Sequence, residues 1–165
     1  LASMLSCTKR LNKEKAQLGS TNDDQITLSA DPEQIRSWSA VVVGPVDSYY
    51  EGFEFDLVIR VGVEYPLVPP SIRFKSKIFH PNVLFESGEI CLDILKKEWS
   101  PAWSLHSACR AIAALLSDPA PDSPLNCDAG NMLRAGDVRA YRSVVSFYCK
   151  EHCRPVKPVT PVTLA

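Results

Sequence analysis

The chain has 165 residues, 45% of them apolar and 22% charged, with a formal net charge of -1. That length supports one buried core without disulfides or metals, and that composition excludes general disorder. Nucleic-acid binding lacks a basic excess to drive it, and no apolar run approaches the roughly 20 residues that cross a bilayer or resembles a secretory signal. The chain is therefore expected neither to span a membrane nor to be exported. Its cysteines (Cys7, Cys91, Cys109, Cys127, Cys149, Cys153) are dispersed, which fits reduced cytosolic thiols better than a disulfide framework.

Residues 3–18 read as a helix, with Met4, Leu5, Thr8, Leu11 and Leu18 on one side, Lys9, Arg10 and Lys13 on another, and Gly19 as its stop. Residues 34–43 are β-rich and end at the Gly44-Pro45 turn signal. Phe53, Phe55, Leu57, Ile59 and Val61 then alternate with mostly polar neighbours, and residues 71–75 repeat the alternation through Ile72 and Phe74. Strands joined this tightly predict an antiparallel meander. Ser104 can cap a helix carrying Leu105, Ala108, Cys109, Ile112, Leu115 and Leu116, closed by Asp118-Pro119. A last helix is predicted from Asp137, with Val138, Tyr141, Val144, Val145, Tyr148 and Cys149 on its apolar face. The order is α+β: an N-terminal helix, an antiparallel meander of three or, at most, four strands (a four-stranded antiparallel meander if the chain before residue 34 adds one), a long irregular loop, then C-terminal helices. Residues 3–153 are expected to form one domain, and 154–165, with Pro155, Pro158 and Pro161, a flexible tail.

Between Val61 and Trp103 lies an irregular stretch of the kind that carries function. It contains Tyr65-Pro66-Leu67-Val68-Pro69-Pro70, His80-Pro81-Asn82, Gly88-Glu89-Ile90-Cys91-Leu92-Asp93-Ile94-Leu95 and Trp99-Ser100-Pro101, in that order. Together these motifs resemble the ubiquitin-conjugating enzyme core, over about nine-tenths of the chain. The later runs Asp122-Ser123-Pro124-Leu125-Asn126 and Asp128-Ala129-Gly130-Asn131-Met132-Leu133-Arg134-Ala135-Gly136-Asp137 are similar to the peroxisomal branch of that family.

The resemblance implies that Cys91 accepts ubiquitin as a thioester from an activating enzyme and passes it on with a RING-type ligase. A thiol suits that task because it exchanges acyl groups readily; the alternative for any free cysteine is an inert buried side chain. Asn82 either supports the oxyanion formed when an acceptor attacks or braces its own loop. His80 and Pro81 read as loop supports, with His80 holding irregular backbone rather than shuttling protons. Asp93 can orient an acceptor. Ser123 occupies the position where many relatives carry a second acidic residue, which puts ordinary lysine activation in question. The spacing from Asn82 to Cys91 is one residue longer than is common in the family, which enlarges the loop through residues 84–88.

Lys9, Arg10 and Lys13 match the helix that relatives present to the activating enzyme, and Leu67, Trp99, Ser100, Pro101 and Ala102 match loops that contact ligases. From charge alone, the basic residues can equally be a solvated helix face. Cys109 and Cys149 are expected as core packing, and Cys149, His152 and Cys153 lack the second cysteine pair of a zinc site. No metal or cofactor is expected, and Tyr65-Pro66 is a candidate cis bond. The branch resemblance implies work at the cytosolic face of the peroxisomal membrane, through a membrane-bound anchor protein, on peroxisomal import receptors. Two other functions are disfavoured. A silent adaptor of this fold lacks the cysteine, and a Cys-His hydrolase needs a base-orienting pattern that is missing here.

Overall fold

The computed structural model describes residues 2–20 and 23–157. Helix α1 (Ala2–Ala16) leads into strands β1 (Ile26–Ala30), β2 (Ser37–Val43), β3 (Phe53–Arg60) and β4 (Ser71–Phe74). They pair in the order β1-β2-β3-β4, each antiparallel to the next. Helices α2 (Leu105–Ser117), α3 (Cys127–Arg134) and α4 (Val138–His152) follow, and a short β5 (Arg154–Pro155) returns to β3.

Period-2 side-chain alternation places the core on one face of the sheet. Leu28, Ala40, Leu57 and Phe74 lie in register across the four meander strands, and Trp38, Ile59 and Ile72 form the adjoining row. Helix α2 covers β1 and β2 with Leu105, Ala108, Cys109, Ile112 and Leu116, all buried. Its predicted cap is present: the Ser104 hydroxyl accepts from the Ser107 N–H, and the Ser107 hydroxyl accepts from the Ser104 N–H. Asp137 caps α4 by accepting from the Ala140 N–H.

Four expectations need correction. Helix α1 buries Cys7, Leu11 and Glu14, whereas Met4 and Leu5 are exposed, because its few apolar residues define a stripe poorly. It also ends at Ala16, and tightened turns from Gln17 to Glu14 and Leu18 to Lys15 carry the chain onward before Gly19. On α4, Val138 of the expected apolar face is exposed. The chain also stays on the sheet past residue 153. Arg154 and Pro155 pair with Glu54 and Phe53, and the Arg154 guanidinium grips the Asp56 carboxylate at 2.7 and 2.8 Å. Pro158, Pro161 and the rest of the expected tail lie outside the described residues.

Helix α4 is pinned to the core by a buried hydroxyl pair. The Tyr50 hydroxyl donates to the Phe79 carbonyl at 2.8 Å, so its 2.7 Å contact with Tyr141 is donated by the Tyr141 hydroxyl. Replacing Tyr141 by Phe removes one such bond and should lower the unfolding free energy by about 1 kcal/mol; Tyr50→Phe breaks two and should cost about 2 kcal/mol. Urea unfolding of the two variants against the parent measures the order.

Candidate functional site

Residues 78–83 are buried without belonging to a helix or strand, so their polar backbone must find partners individually. The His80 ring supplies one and is itself anchored to α2. Its Nδ1 accepts the Asn82 N–H at 3.0 Å, which leaves the proton on Nε2 to donate to the Leu115 carbonyl of α2 at 3.0 Å. The Pro81 carbonyl accepts from the N–H groups of Leu125 and Asn126, at 2.8 and 3.0 Å. Asn82, 3% exposed, clasps one residue with both ends of its amide. Nδ2 donates to the Ala120 carbonyl and Oδ1 accepts the Ala120 N–H, each at 2.8 Å.

The Asn82 carbonyl in turn accepts the Cys91 N–H at 2.8 Å, closing a small hairpin in which Val83 faces Ile90. Gly88 turns this hairpin at φ 74°, and a Cβ there would collide with the Phe74 carbonyl, so the position suits only glycine. The loop at 84–88 is tethered by Lys77, whose Nζ donates to the carbonyls of Phe85 (3.2 Å) and Glu86 (2.9 Å). At the hairpin's end the Cys91 thiol is half-exposed. Asp93, exposed, opens a single 3-10 turn and pairs with Lys97 at 3.2 Å.

Ser123 is exposed in the segment between the two places where the chain is stitched down, Ala120 and Leu125. This segment rests on α3, which the sequence reading missed because only Ala129 and Gly130 of that helix are buried. Gly130 permits the close approach: a Cβ there would come within 2.8 Å of the Pro124 ring. Thus Cys91, Asn82, His80 and Pro81 are linked by hydrogen bonds into one assembly that also holds the Ser123 segment.

The second group of expected residues lies elsewhere, where α1 meets the loops at 62–68 and 99–103. Lys9 and Lys13 are exposed, but Arg10 is not free. Its guanidinium binds Glu14 at 2.6 Å and the carbonyls of Pro101 and Trp103 at 3.1 and 2.8 Å. Leu67 is 74% exposed. Trp99 is half-buried, donating from Nε1 to the Pro66 carbonyl at 2.8 Å beside the Tyr65 ring. The Tyr65-Pro66 bond is cis. Ser100 is partly buried, and Pro101 and Ala102 are exposed. Glu14 was missed as a site residue, although a charge on the Cys7–Leu11 side of a helix signals a paired buried group.

Of the other thiols, Cys7, Cys109 and Cys149 are buried, and burial pushes Cys109 up to about 12. Cys127 is exposed at the start of α3, and Cys153 is half-buried near the Lys77 carbonyl. Among the described residues no group of three or more His, Cys, Asp or Glu side chains could hold a metal ion.

Residues 10–149 match the family model described as ubiquitin-conjugating enzyme. Over 156 residues the chain is 51% identical to protein peroxin-4 of Arabidopsis thaliana, covering 93% of this chain and 99% of that one. It is 49% identical over 142 residues to the ubiquitin-conjugating enzyme E2 pex4 of Dictyostelium discoideum, covering 86% and 95%. The crystal structure of the H. polymorpha ubiquitin conjugating enzyme Pex4p, in complex with the soluble domain of Pex22p, superposes with a TM-score of 0.82 at 37% identity, covering 90% of this chain and 98% of that one.

Burial lowers His80 to about 4, only partly offset by the Leu115 carbonyl, so the folded chain holds the ring neutral. In the unfolded chain the imidazole titrates near 6.5, so that state binds the extra proton between roughly pH 6.5 and 4. The contribution is therefore complete above pH 6.5 and is lost as the pH falls toward 4, amounting to roughly 3 kcal/mol. Urea unfolding across this range should show that loss in the parent and a flatter profile in His80→Gln.

Proposed function

We propose that Cys91 carries ubiquitin as a thioester, proceeding from the fact that the chain belongs to the ubiquitin-conjugating enzyme family. The chain is thereby a ubiquitin transferase, and the carrying observation is the setting of this thiol. Cys91 is half-exposed at the end of a hairpin bonded to Asn82, while Cys7, Cys109 and Cys149 are buried in the core. In the loading step the Cys91 sulfur, as thiolate, attacks the thioester carbonyl joining ubiquitin to its activating enzyme, and that enzyme's thiolate leaves. In discharge an acceptor amine or thiol attacks the new thioester, loses its proton, and Cys91 departs as thiolate.

Asn82 serves both candidate roles. Its amide nitrogen carries two hydrogens, and the Ala120 carbonyl takes one. The other is the donor for the oxyanion that develops during attack. His80 is no general base, because both ring nitrogens are engaged and burial disfavours its cation. A carrier benefits from this, since a thioester that must wait for its acceptor survives longer without an activated water. The retention of Cys91 and Asn82 favours the enzyme over a silent adaptor of the same fold.

The named relatives support a finer reading. Two carry peroxin-4 or pex4 names, and the H. polymorpha enzyme was crystallised with Pex22p. This chain, on our reading, works at the cytosolic face of the peroxisomal membrane, held there by a comparable anchor protein. No helix among the described residues is long and apolar enough to cross a membrane. Peroxisomal import receptors are the acceptors, with a RING-type ligase as partner. Lys9, Lys13, Leu67, Ser100, Pro101 and Ala102 present the surface for the activating enzyme and the ligase, and Asp93 and Ser123 flank the acceptor's approach.

Cys91→Ser should abolish the reducible ubiquitin adduct on a non-reducing gel, whereas Cys109→Ala should load normally apart from any loss of stability. Thioester formation by the Cys91 variant would falsify the assignment. Ser123 bears on acceptor choice. A lysine amine, with a pKa near 10.4, is almost wholly protonated at neutral pH and needs help to lose its proton, while a thiol near 8.5 already supplies a few per cent of thiolate. Ser123→Asp should therefore raise the discharge rate to free lysine severalfold and leave discharge to free cysteine unchanged; equal lysine rates in parent and variant would remove Ser123 from acceptor selection.

A further inference from the structure

The Glu14 carboxylate is buried on the face of α1 that also buries Cys7 and Leu11. Its Oε1 accepts from the Arg10 Nε and from the Tyr65 hydroxyl, each at 2.6 Å. Its Oε2 accepts the N–H of Leu105, the first residue of α2, at 2.8 Å. A carboxylate is favoured there by the unpaired N–H groups and positive end of the helix dipole. Burial, followed by the bond to Glu14, raises the Tyr65 hydroxyl well above its usual range, so it stays protonated and donates.

Arg10 extends this network. While one edge of the guanidinium holds Glu14, its other nitrogens bind the carbonyls of Pro101 and Trp103, and the group lies 5.8 Å from the Tyr65 ring centre. Tyr65 in turn stands beside Trp99, which is bonded to Pro66. One carboxylate thus joins α1, the turn carrying Leu67, the loop carrying Ser100, Pro101 and Ala102, and the start of α2. The hydrogen bonds that build the Cys91 and Asn82 assembly use none of these side chains.

We propose that Glu14 is a positioning residue for partner docking: through Arg10 and Tyr65 it sets the register between the α1 lysines and the Leu67 and Pro101–Ala102 loops. The activating enzyme then meets one prearranged surface instead of separately mobile pieces, which lowers the ordering cost of association. Arg10 is a strut within that surface, and Lys9 and Lys13 are the cations that face the partner. This inference rests on the transferase reading above.

The test follows initial rates of thioester formation on Cys91, with catalytic ubiquitin-activating enzyme, ubiquitin and ATP, as the concentration of this chain is varied. Glu14→Gln keeps the shape but loses the charge that holds Arg10, and should raise KM about tenfold while kcat stays within about twofold. Arg10→Lys keeps a cation on α1 but lacks the fork that spans a carboxylate and two carbonyls, and should raise KM similarly. The double variant should be no worse than either single by more than about twofold, because both break one unit.

An unchanged KM in either single variant, a fall in kcat alone, or additive effects in the double variant would overturn the proposal; additivity is what a direct contact between Arg10 and the partner would produce. Tyr141→Phe, which removes a buried bond far from the strut, controls for stability. If it raises KM as much as Glu14→Gln at a matched loss of Tm, general loosening explains the effect and the positioning role fails. Failure of the unsubstituted chain to load would overturn the transferase reading itself, whereas normal loading with unaltered KM in the variants would overturn only the strut.

Discussion

Burying an irregular stretch of backbone beneath the Cys91 thiol is the constraint around which this molecule is organised. Residues 78–83 lie outside the helices and the sheet, with a single bridge from Val83 to Ile90, and water is excluded from most of their surface. Their backbone partners are the His80 ring, the Tyr50 hydroxyl, the N–H groups of Leu125 and Asn126 and the Cys91 hairpin, while α2 and Ala120 anchor the His80 and Asn82 side chains. Each partner is thereby fixed as well as satisfied. The same bonds that make burial tolerable place Cys91, Asn82 and the Ser123 segment together.

Helix α2 connects the two functional regions. Its first N–H is held by Glu14, and the Leu115 carbonyl in its last turn is held by His80. At 1.5 Å per residue, a helix of this length spans about 20 Å. Its apolar face is packed against β1 and β2, so it acts as a stiff beam between the loops held by Glu14 and Arg10 and the Cys91 assembly. The regions can therefore be perturbed separately while sharing one rigid reference.

The segment after α2 shows how little secondary structure such a site requires. Pro119, Pro121 and Pro124 have no N–H to satisfy and restrict the unfolded chain, which lowers the cost of ordering the loop. The donors that secure it come from the residues between and after them, Ala120, Leu125 and Asn126. Gly130 then leaves room for Pro124 against α3. Exposed Ser123 is therefore carried on a preorganised support.

Local chemistry in the sequence was enough to determine the α+β order, the period-2 face of β3, the cap at Ser104 and the start of the last helix near Asp137, and the resemblance of its motifs pointed to Cys91. These depend on spacing along the chain, and spacing is what a sequence displays. It did not locate α3 or β5, whose apolar residues are too few to define a period, nor β1, although Ile26, Leu28 and Ala30 alternate there with Thr27 and Ser29. Nor did it show that Arg10 and Trp99 are tied inward, that Asp93 pairs with Lys97, or that Glu14 is a junction. Tertiary structure decided most of those, because the bonds of Glu14 to Tyr65 and Leu105, of Arg10 to Pro101, and of Asn82 to Ala120 join residues 38 to 91 positions apart. A side chain's role as anchor or contact depends on which distant carbonyl or N–H is left without a partner, and only folding brings those groups within reach.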